Sequence, residues 1–310
     1  MMLSSGLPKQ LRALLPWLMP PLFVALVTVL AAWMRLPTVL FPELAALATV
    51  VLLQPEAPWS RVPLQLALAP FLTGCIGQLC FWLLPWWPVT VLASVALSIG
   101  LVRGLRSPVI PALSCGLAPW AFQLHSWTFA PSLLVGTGGL ALVCLLRPNS
   151  SHRSGLGWGP SRPEAAMAGW LPAYGLFLGL GLALVALTGL RLILFPPLLV
   201  IAYELMVHPG ACPWRGRPLG TILGCTAAAA IGTLLAGWWG VVPPATALTV
   251  VMVEALQRLL GFRMLPAFGA GLIPFLLPQP SLAFPLSVAL GTGLLALVTW
   301  IFSSVTATRN

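Results

Sequence analysis

Three of the five glutamates in this 310-residue sequence lie inside long apolar runs, where an ionisable side chain is costly and needs an explanation. Glu204 lies in the run LVIAYELMV, and His208 follows four residues later, on the same face of a predicted helix. A carboxyl group and an imidazole at this spacing could relay a proton or hold a cation. The alternative is a structural hydrogen bond to a neighbouring helix or to an arginine at the membrane edge.

The other two such glutamates have structural explanations close by. Glu43 follows Phe41-Pro42 in the first turn of a predicted helix, where the helix dipole favours a carboxylate, and Arg35 is near enough in sequence to pair with it. Glu254 precedes Arg258 by four residues, a spacing that favours an intrahelical ion pair. Glu43, Glu254 and Arg258 remain candidates for an ion pathway, with the structural interpretation favoured for Glu254 and Arg258.

Arg35 and Arg191 form a second type of candidate. Each stands shortly before a Phe-Pro pair and the start of a short predicted helix. An arginine beside an exposed helix N-terminus can collect anions, and the arrangement occurs twice in the sequence. The alternative is an arginine that reaches the lipid head groups from the membrane interface.

The sequence offers no constellation typical of an enzyme. Aspartate is absent, so a Ser-His-Asp triad is excluded, and no Walker A, HExxH or dinucleotide-binding motif occurs. Three histidines without a carboxylate cluster, and six cysteines without a CxxC pair, predict neither a metal nor a cofactor. The net charge of +10 comes from scattered basic residues, which does not indicate a nucleic-acid partner. We therefore expect a protein that is not an enzyme.

Composition places the chain in a lipid bilayer. Hydrophobic residues make up 59% and charged residues 6% of the sequence, whereas soluble proteins carry about 25% charged residues. The apolar runs show none of the alternation of barrel strands, which predicts an all-α integral membrane bundle.

The sequence also contains an internal repeat. Residues 40–64 align with 194–219, and after one inserted residue the register continues without a gap: Arg103 aligns with Arg258, and Gly136 with Gly291. Shared Pro, Trp, Gly and Arg positions in a single frame indicate a duplicated unit. We predict a first transmembrane repeat over 1–146, a polar cytoplasmic linker over 147–169, and a second repeat over 170–310.

Each half holds six apolar runs, which predicts about 12 transmembrane segments. The second and fifth runs of each half are short, so we expect broken, re-entrant or tilted helices there. Thirteen of the fifteen basic residues fall in even-numbered gaps between runs, counted from the N-terminus. This bias predicts that both termini are cytoplasmic and that the repeats are parallel, related by an axis along the membrane normal.

Small residues recur every four positions from Gly220 to Ala236. Such a stripe allows close helix packing. A sharper hypothesis is that this helix and its counterpart in the first half meet at the axis between the repeats.

The proline-bracketed segment 208–218, the Gly/Ala-rich run after it and the later LPAFGA element resemble the HPP family of membrane proteins. Leu265 and Ile110 stand where that family has histidine. Family members in cyanobacteria and chloroplasts are associated with nitrite transport. The resemblance implies a transporter or channel for a small inorganic anion, nitrite-like first, in a bacterial or cyanobacterial inner membrane. The alternative from the residues is a structural or accessory subunit of a larger membrane complex, and a homo-oligomer also remains open.

Overall fold

The computed structural model describes residues 9–147 and 167–307, and these residues form α-helices, four short 3-10 helices and irregular segments without a β-strand. The predicted linker 147–169 lies almost entirely outside the described residues. The α-helices of the described part are α1 (Lys9–Met34), α2 (Leu44–Leu53), α3 (Pro63–Leu83), α4 (Trp87–Gly104), α5 (Ala112–Phe122), α6 (Phe129–Leu146), α7 (Met167–Thr188), α8 (Pro196–Val207), α9 (Pro218–Trp239), α10 (Pro243–Leu260), α11 (Pro266–Leu272) and α12 (Ala283–Ala307).

Proline sets where many of these helices begin. It occupies the first helical position of α3, α8, α9, α10 and α11. Its missing N–H costs nothing there, because the first N–H groups of a helix have no partner inside the helix. The abundant prolines therefore define sharp starts in a chain whose apolar runs would otherwise merge.

Within the described residues, seven helices are long and apolar enough to cross a membrane, which makes this a multi-pass membrane protein: α1, α3, α4, α6, α7, α9 and α12. The prediction of an all-α membrane bundle is confirmed at this level. Helix α10 has 18 residues, the same length as α4 and α6, but carries Glu254, Gln257 and Arg258 near its end.

The four short helices, α2, α5, α8 and α11, lie at the centre of the bundle. Buried residues run without a break over 44–51, 112–121, 196–204 and 266–272. A helix of ten residues, such as α2, spans about 15 Å, half of a hydrocarbon core about 30 Å thick. The chain entering each of them is irregular or 3-10, and non-helical backbone at such depth is tolerated where protein encloses it.

The two halves of the chain interlock. Helix α1 packs against α10, α5 against α8, and α11 against α2. The hydroxyl groups of Thr28 on α1 and Thr246 on α10 are 2.9 Å apart, and both side chains are fully buried. The first helix is therefore held by the second half of the chain.

Helix α9 packs closely against its own half through the small-residue stripe. A Cβ added to Gly232 would overlap the carbonyl oxygen of Gly271 on α11, and one added to Gly77 on α3 would overlap that of Gly116 on α5. Gly220 faces Phe262 in the connection after α10. The main neighbours of α9 are α10, α11 and α12. The hypothesis that the stripe brings α9 against α3 is therefore wrong, because its small residues accommodate the short buried helix instead.

Candidate functional site

A cavity of about 240 Å³ penetrates the centre of the bundle. Its wide end lies among connecting segments, where Ala211 and Pro213 are exposed, and its deepest wall includes Glu43. The side chains between these ends come from α2, α8 and the approaches to α5 and α11. The lining residues are Glu43, Ala46, Gln54, Trp59, Pro111, Val200, Glu204, Ala211, Pro213, Trp214, Arg263, Leu265 and Pro266.

The length of α2 gives the depth of this cavity. Glu43 directly precedes the helix and Gln54 directly follows it, and both line the cavity. Ten helical residues rise about 15 Å, so the cavity extends about that far from Gln54 to Glu43. We call the Gln54 end the mouth and the Glu43 end the floor.

At the floor, Ser114 near the start of α5 and Gly269 in α11 lie close to Glu43. The Ser114 hydroxyl on α5 donates a 2.6 Å hydrogen bond to its Oε1, and the Glu43 side chain is 1% exposed. A Cβ added to Gly269 on α11 would lie 3.4 Å from the same oxygen and 2.7 Å from Cγ of Pro197 on α8. Glycine at 269 therefore permits this close approach.

Glu43 lies at the start of α2 as predicted, but the predicted pairing with Arg35 is wrong. Glu43 immediately precedes α2 but makes no side-chain hydrogen bond to the start of that helix. Arg35 is exposed, and among the described residues the Glu43 carboxyl has no ion-pair partner. Proximity in sequence misled here, because the chain descends from Arg35 into the bundle before α2 begins.

Glu204 on α8 and His208, the residue directly after this helix, lie together nearer the mouth. Their Oε2 and Nδ1 atoms are 3.4 Å apart, the histidine is 4% exposed, and its ring stands 5.8 Å from that of Tyr203. Glu204 lines the same cavity as Glu43. The cavity thus presents one carboxyl at mid-depth of the bundle and a second beside an imidazole close to its mouth.

Arg263 is a cavity residue that the sequence analysis did not single out. Its guanidinium lies 3.6 Å from the Glu254 carboxylate and 4.9 Å from the Trp17 ring centre. Arg258 bonds the same carboxylate at 3.1 Å and stacks on the same ring at 4.2 Å. Glu254 and Arg258 line a different hollow, between α1, α2 and α10. They hold α1 against α10 and position Arg263 at the mouth of the cavity.

Arg35 and Arg191 do not line this cavity. Both are exposed, and Arg191 lines a broad hollow of about 760 Å³ together with Trp82, Trp87 and Trp120. The starts of α2 and α8 are buried. The prediction that each arginine stands beside an exposed helix N-terminus is therefore wrong, because both helices start buried, four residues (192–195) after Arg191 and eight residues (36–43) after Arg35.

Ser114 and Arg263 show what the sequence analysis missed. In the predicted alignment of the two halves, Ser114 matches Gly269, and this exchange of a polar residue for glycine was a signal in the sequence. Its contact with Glu43 spans 71 positions, which only the fold reveals. Arg263 looked like one more basic residue in a connecting segment.

No other reactive group emerges from the part of the chain that the structure describes. Burial raises the pKa of the Cys212 thiol, in the connection after α8, to about 12. No group of three His, Cys, Asp or Glu side chains that could hold a metal ion occurs among the described residues.

Comparison with protein-family models, with curated proteins and with solved structures finds no match.

Proposed function

We propose that this protein transports a small inorganic anion, nitrite first, and that the central cavity is the cytoplasmic half of its pathway. The proposal rests on one observation. A cavity extends from the connecting segments to Glu43, which is buried at mid-depth of an apolar bundle. Its volume of about 240 Å³ lies below the 300–1,000 Å³ typical of drug-sized ligands, which favours a small solute. The resemblance to the HPP family supports nitrite.

The proposed topology has 12 crossings in two parallel repeats, with both termini cytoplasmic, in a bacterial or cyanobacterial inner membrane. Seven long helices and α10 supply eight crossings. Each short helix supplies half of a further crossing, and the irregular chain before it supplies the rest. Under this topology the mouth of the cavity, at Gln54, Trp214 and Arg263, faces the cytoplasm, where the bias of basic residues places these connections.

Equivalent contacts in the two halves support the repeat. Arg103 on α4 stacks on Trp170 of α7 at 5.6 Å, as Arg258 on α10 stacks on Trp17 of α1 at 4.2 Å. Each contact joins the fourth helix of one half to the first helix of the other. The overlapping glycine pairs between α3 and α5 and between α9 and α11 show the same correspondence.

The mouth of the cavity offers an anion one positive charge, while the carboxyl groups of Glu43 and Glu204 line other parts of the wall. Arg263 brings a positive charge to the mouth, and its partner Glu254 lies outside the cavity lining. Pro111, the residue directly before α5, lines the wall of the cavity. On the far side of Glu43, the matching residues Phe41 and Phe195 are buried, at 1% and 0% exposure. We interpret the structure as the state open to the cytoplasm and closed to the outside.

Nitrite uptake into proteoliposomes tests the proposal. Purified protein should accumulate nitrite faster than empty liposomes do, and Ala46→Phe should abolish the difference because a phenyl ring would fill the cavity. Ala96→Phe places the same ring on the exposed face of α4 and should leave uptake unchanged. Uptake no faster than in empty liposomes, with folded protein, would refute transport and favour an accessory subunit.

A further inference from the structure

We propose that Glu43 is a proton-binding site that couples entry of the anion to entry of a proton, with Ser114 as the hydroxyl that the carboxyl and the anion share. This inference rests on the proposed function and specifies its energy source. One proton moving with one monovalent anion makes the cycle electroneutral, so no charge has to cross the apolar bundle unaccompanied.

The position of Glu43 meets the first requirement of a coupling site. It is reachable from one side, because it forms the floor of the cavity, and it lies where the outward route is closed. It also stands where α2, α5, α8 and α11 begin, so a small shift among these short helices changes its surroundings. A group at such a junction can exchange its proton with each side in turn.

Among the residues that the structure describes, no cationic side chain forms an ion pair with the Glu43 carboxyl. Of the elements packed against α2, neither α1 beyond Pro16 nor α11 carries a titratable side chain, and α6 carries Cys144 alone. The segment 58–61 also packs against α2, and its Arg61 forms an ion pair with Glu56, with 2.8 Å between Nη2 and Oε2. The thiols of Cys115 on α5 and Cys225 on α9 lie near the carboxyl. Across the cavity stand Glu204 and, at the mouth, Arg263.

An ionised carboxylate buried without a partner is unfavourable, so the carboxyl in this conformation carries its proton. Among the described residues, the Ser114 hydroxyl is the side chain that donates a hydrogen bond to this carboxyl. When an anion reaches Glu43 from the outer side, the Ser114 hydroxyl can turn to it, and the carboxylic proton donates a second hydrogen bond to the anion. The anion and the proton are then released together through the cavity into the cytoplasm, and the Glu43 carboxylate takes its next proton from the outer side when the outward route opens again.

Two assays of nitrite in proteoliposomes separate coupling from transport. One measures accumulation driven by a pH gradient, with external pH 6.5 and internal pH 7.5; the other measures exchange of labelled for unlabelled nitrite at equal pH. We expect nitrite to accumulate faster than in empty liposomes, toward the roughly tenfold internal excess that one pH unit allows for one proton per anion, and independently of a clamped membrane voltage. In Glu43→Gln, accumulation should fall to the background, and any remaining exchange should no longer depend on pH. Glu56→Gln, the same change on an exposed carboxylate, should behave as wild type.

The outcomes distinguish the two proposals. Wild-type protein that neither accumulates nor exchanges nitrite refutes the transport function and the coupling with it. Exchange without gradient-driven accumulation, or a Glu43→Gln variant that still accumulates nitrite, refutes the coupling and leaves transport standing. If Glu43→Gln does not fold, a pH dye inside wild-type vesicles provides the test, because the inference requires one proton to enter with each nitrite ion.

Discussion

Replacing Gly232 by alanine should force α9 and α11 apart. The added Cβ would overlap the carbonyl oxygen of Gly271, and both groups belong to helix backbones that cannot rotate away. Relief requires a shift of the two helices by about an ångström. Overpacking of this kind costs about 1–3 kcal/mol, while alanine in place of a helical glycine returns about 1 kcal/mol.

Gly237 on the same helix provides a matched control. An added Cβ there has open space around it, so Gly237→Ala should gain about 1 kcal/mol from helix propensity alone. The two variants should therefore differ in stability by about 1–3 kcal/mol, the overpacking cost that Gly232→Ala alone incurs. Thermal unfolding in detergent, followed by intrinsic tryptophan fluorescence, measures this as a lower Tm for Gly232→Ala.

The same change in the first half extends this prediction. Gly77→Ala should lower the Tm by a similar amount, because its Cβ would overlap the carbonyl of Gly116. Gly232→Ala should also slow nitrite uptake, since Pro266 at the start of α11 lines the cavity. Equal melting temperatures for Gly232→Ala and Gly237→Ala would refute the inferred backbone contact.

Three further predictions address the contact between the halves, the reactivity of a thiol and the topology. Thr28→Val removes the hydroxyl contact with Thr246 and should lower the free energy of unfolding by about 1 kcal/mol. Thr188→Val, at an exposed helix end, should leave the Tm unchanged. Equal Tm values for the two variants would count against the contact. Because burial raises its pKa to about 12, the Cys212 thiol is neutral at pH 8. It should therefore react with N-ethylmaleimide more slowly than free cysteine, which mass spectrometry can follow. Reaction at the rate of free cysteine would contradict the burial of this thiol. Fluorescent protein fused to either terminus should fluoresce in the cytoplasm, and termini on opposite sides would contradict 12 crossings.

The elements of the fold were largely predictable from apolar runs and proline. The second and fifth runs of each half were too short for a crossing, and the structure shows short buried helices at all four places. Helix α6 ends at Leu146, the predicted end of the first unit. These features depend on local sequence, where the period of the helix and the missing N–H of proline act directly.

The site was predictable only in part, because its contacts join distant segments. Glu204 and His208 were found from their spacing on one helix. The contact between Glu43 and Ser114 was not, since it depends on how α2 meets α5. The stripe on α9 predicted close packing correctly but not its partner, because small residues permit an approach without specifying the helix that makes it.

Chemical modification of the cavity wall tests the central claim most directly. Ala46→Cys, in a protein whose native cysteines are replaced by serine or alanine, places a thiol on α2 between Glu43 and the mouth. A membrane-impermeant methanethiosulfonate reagent applied from the cytoplasmic side should stop nitrite uptake, and saturating nitrite should slow the modification. Uptake that continues unchanged after complete modification of this cysteine would contradict the assignment of the cavity as the transport pathway.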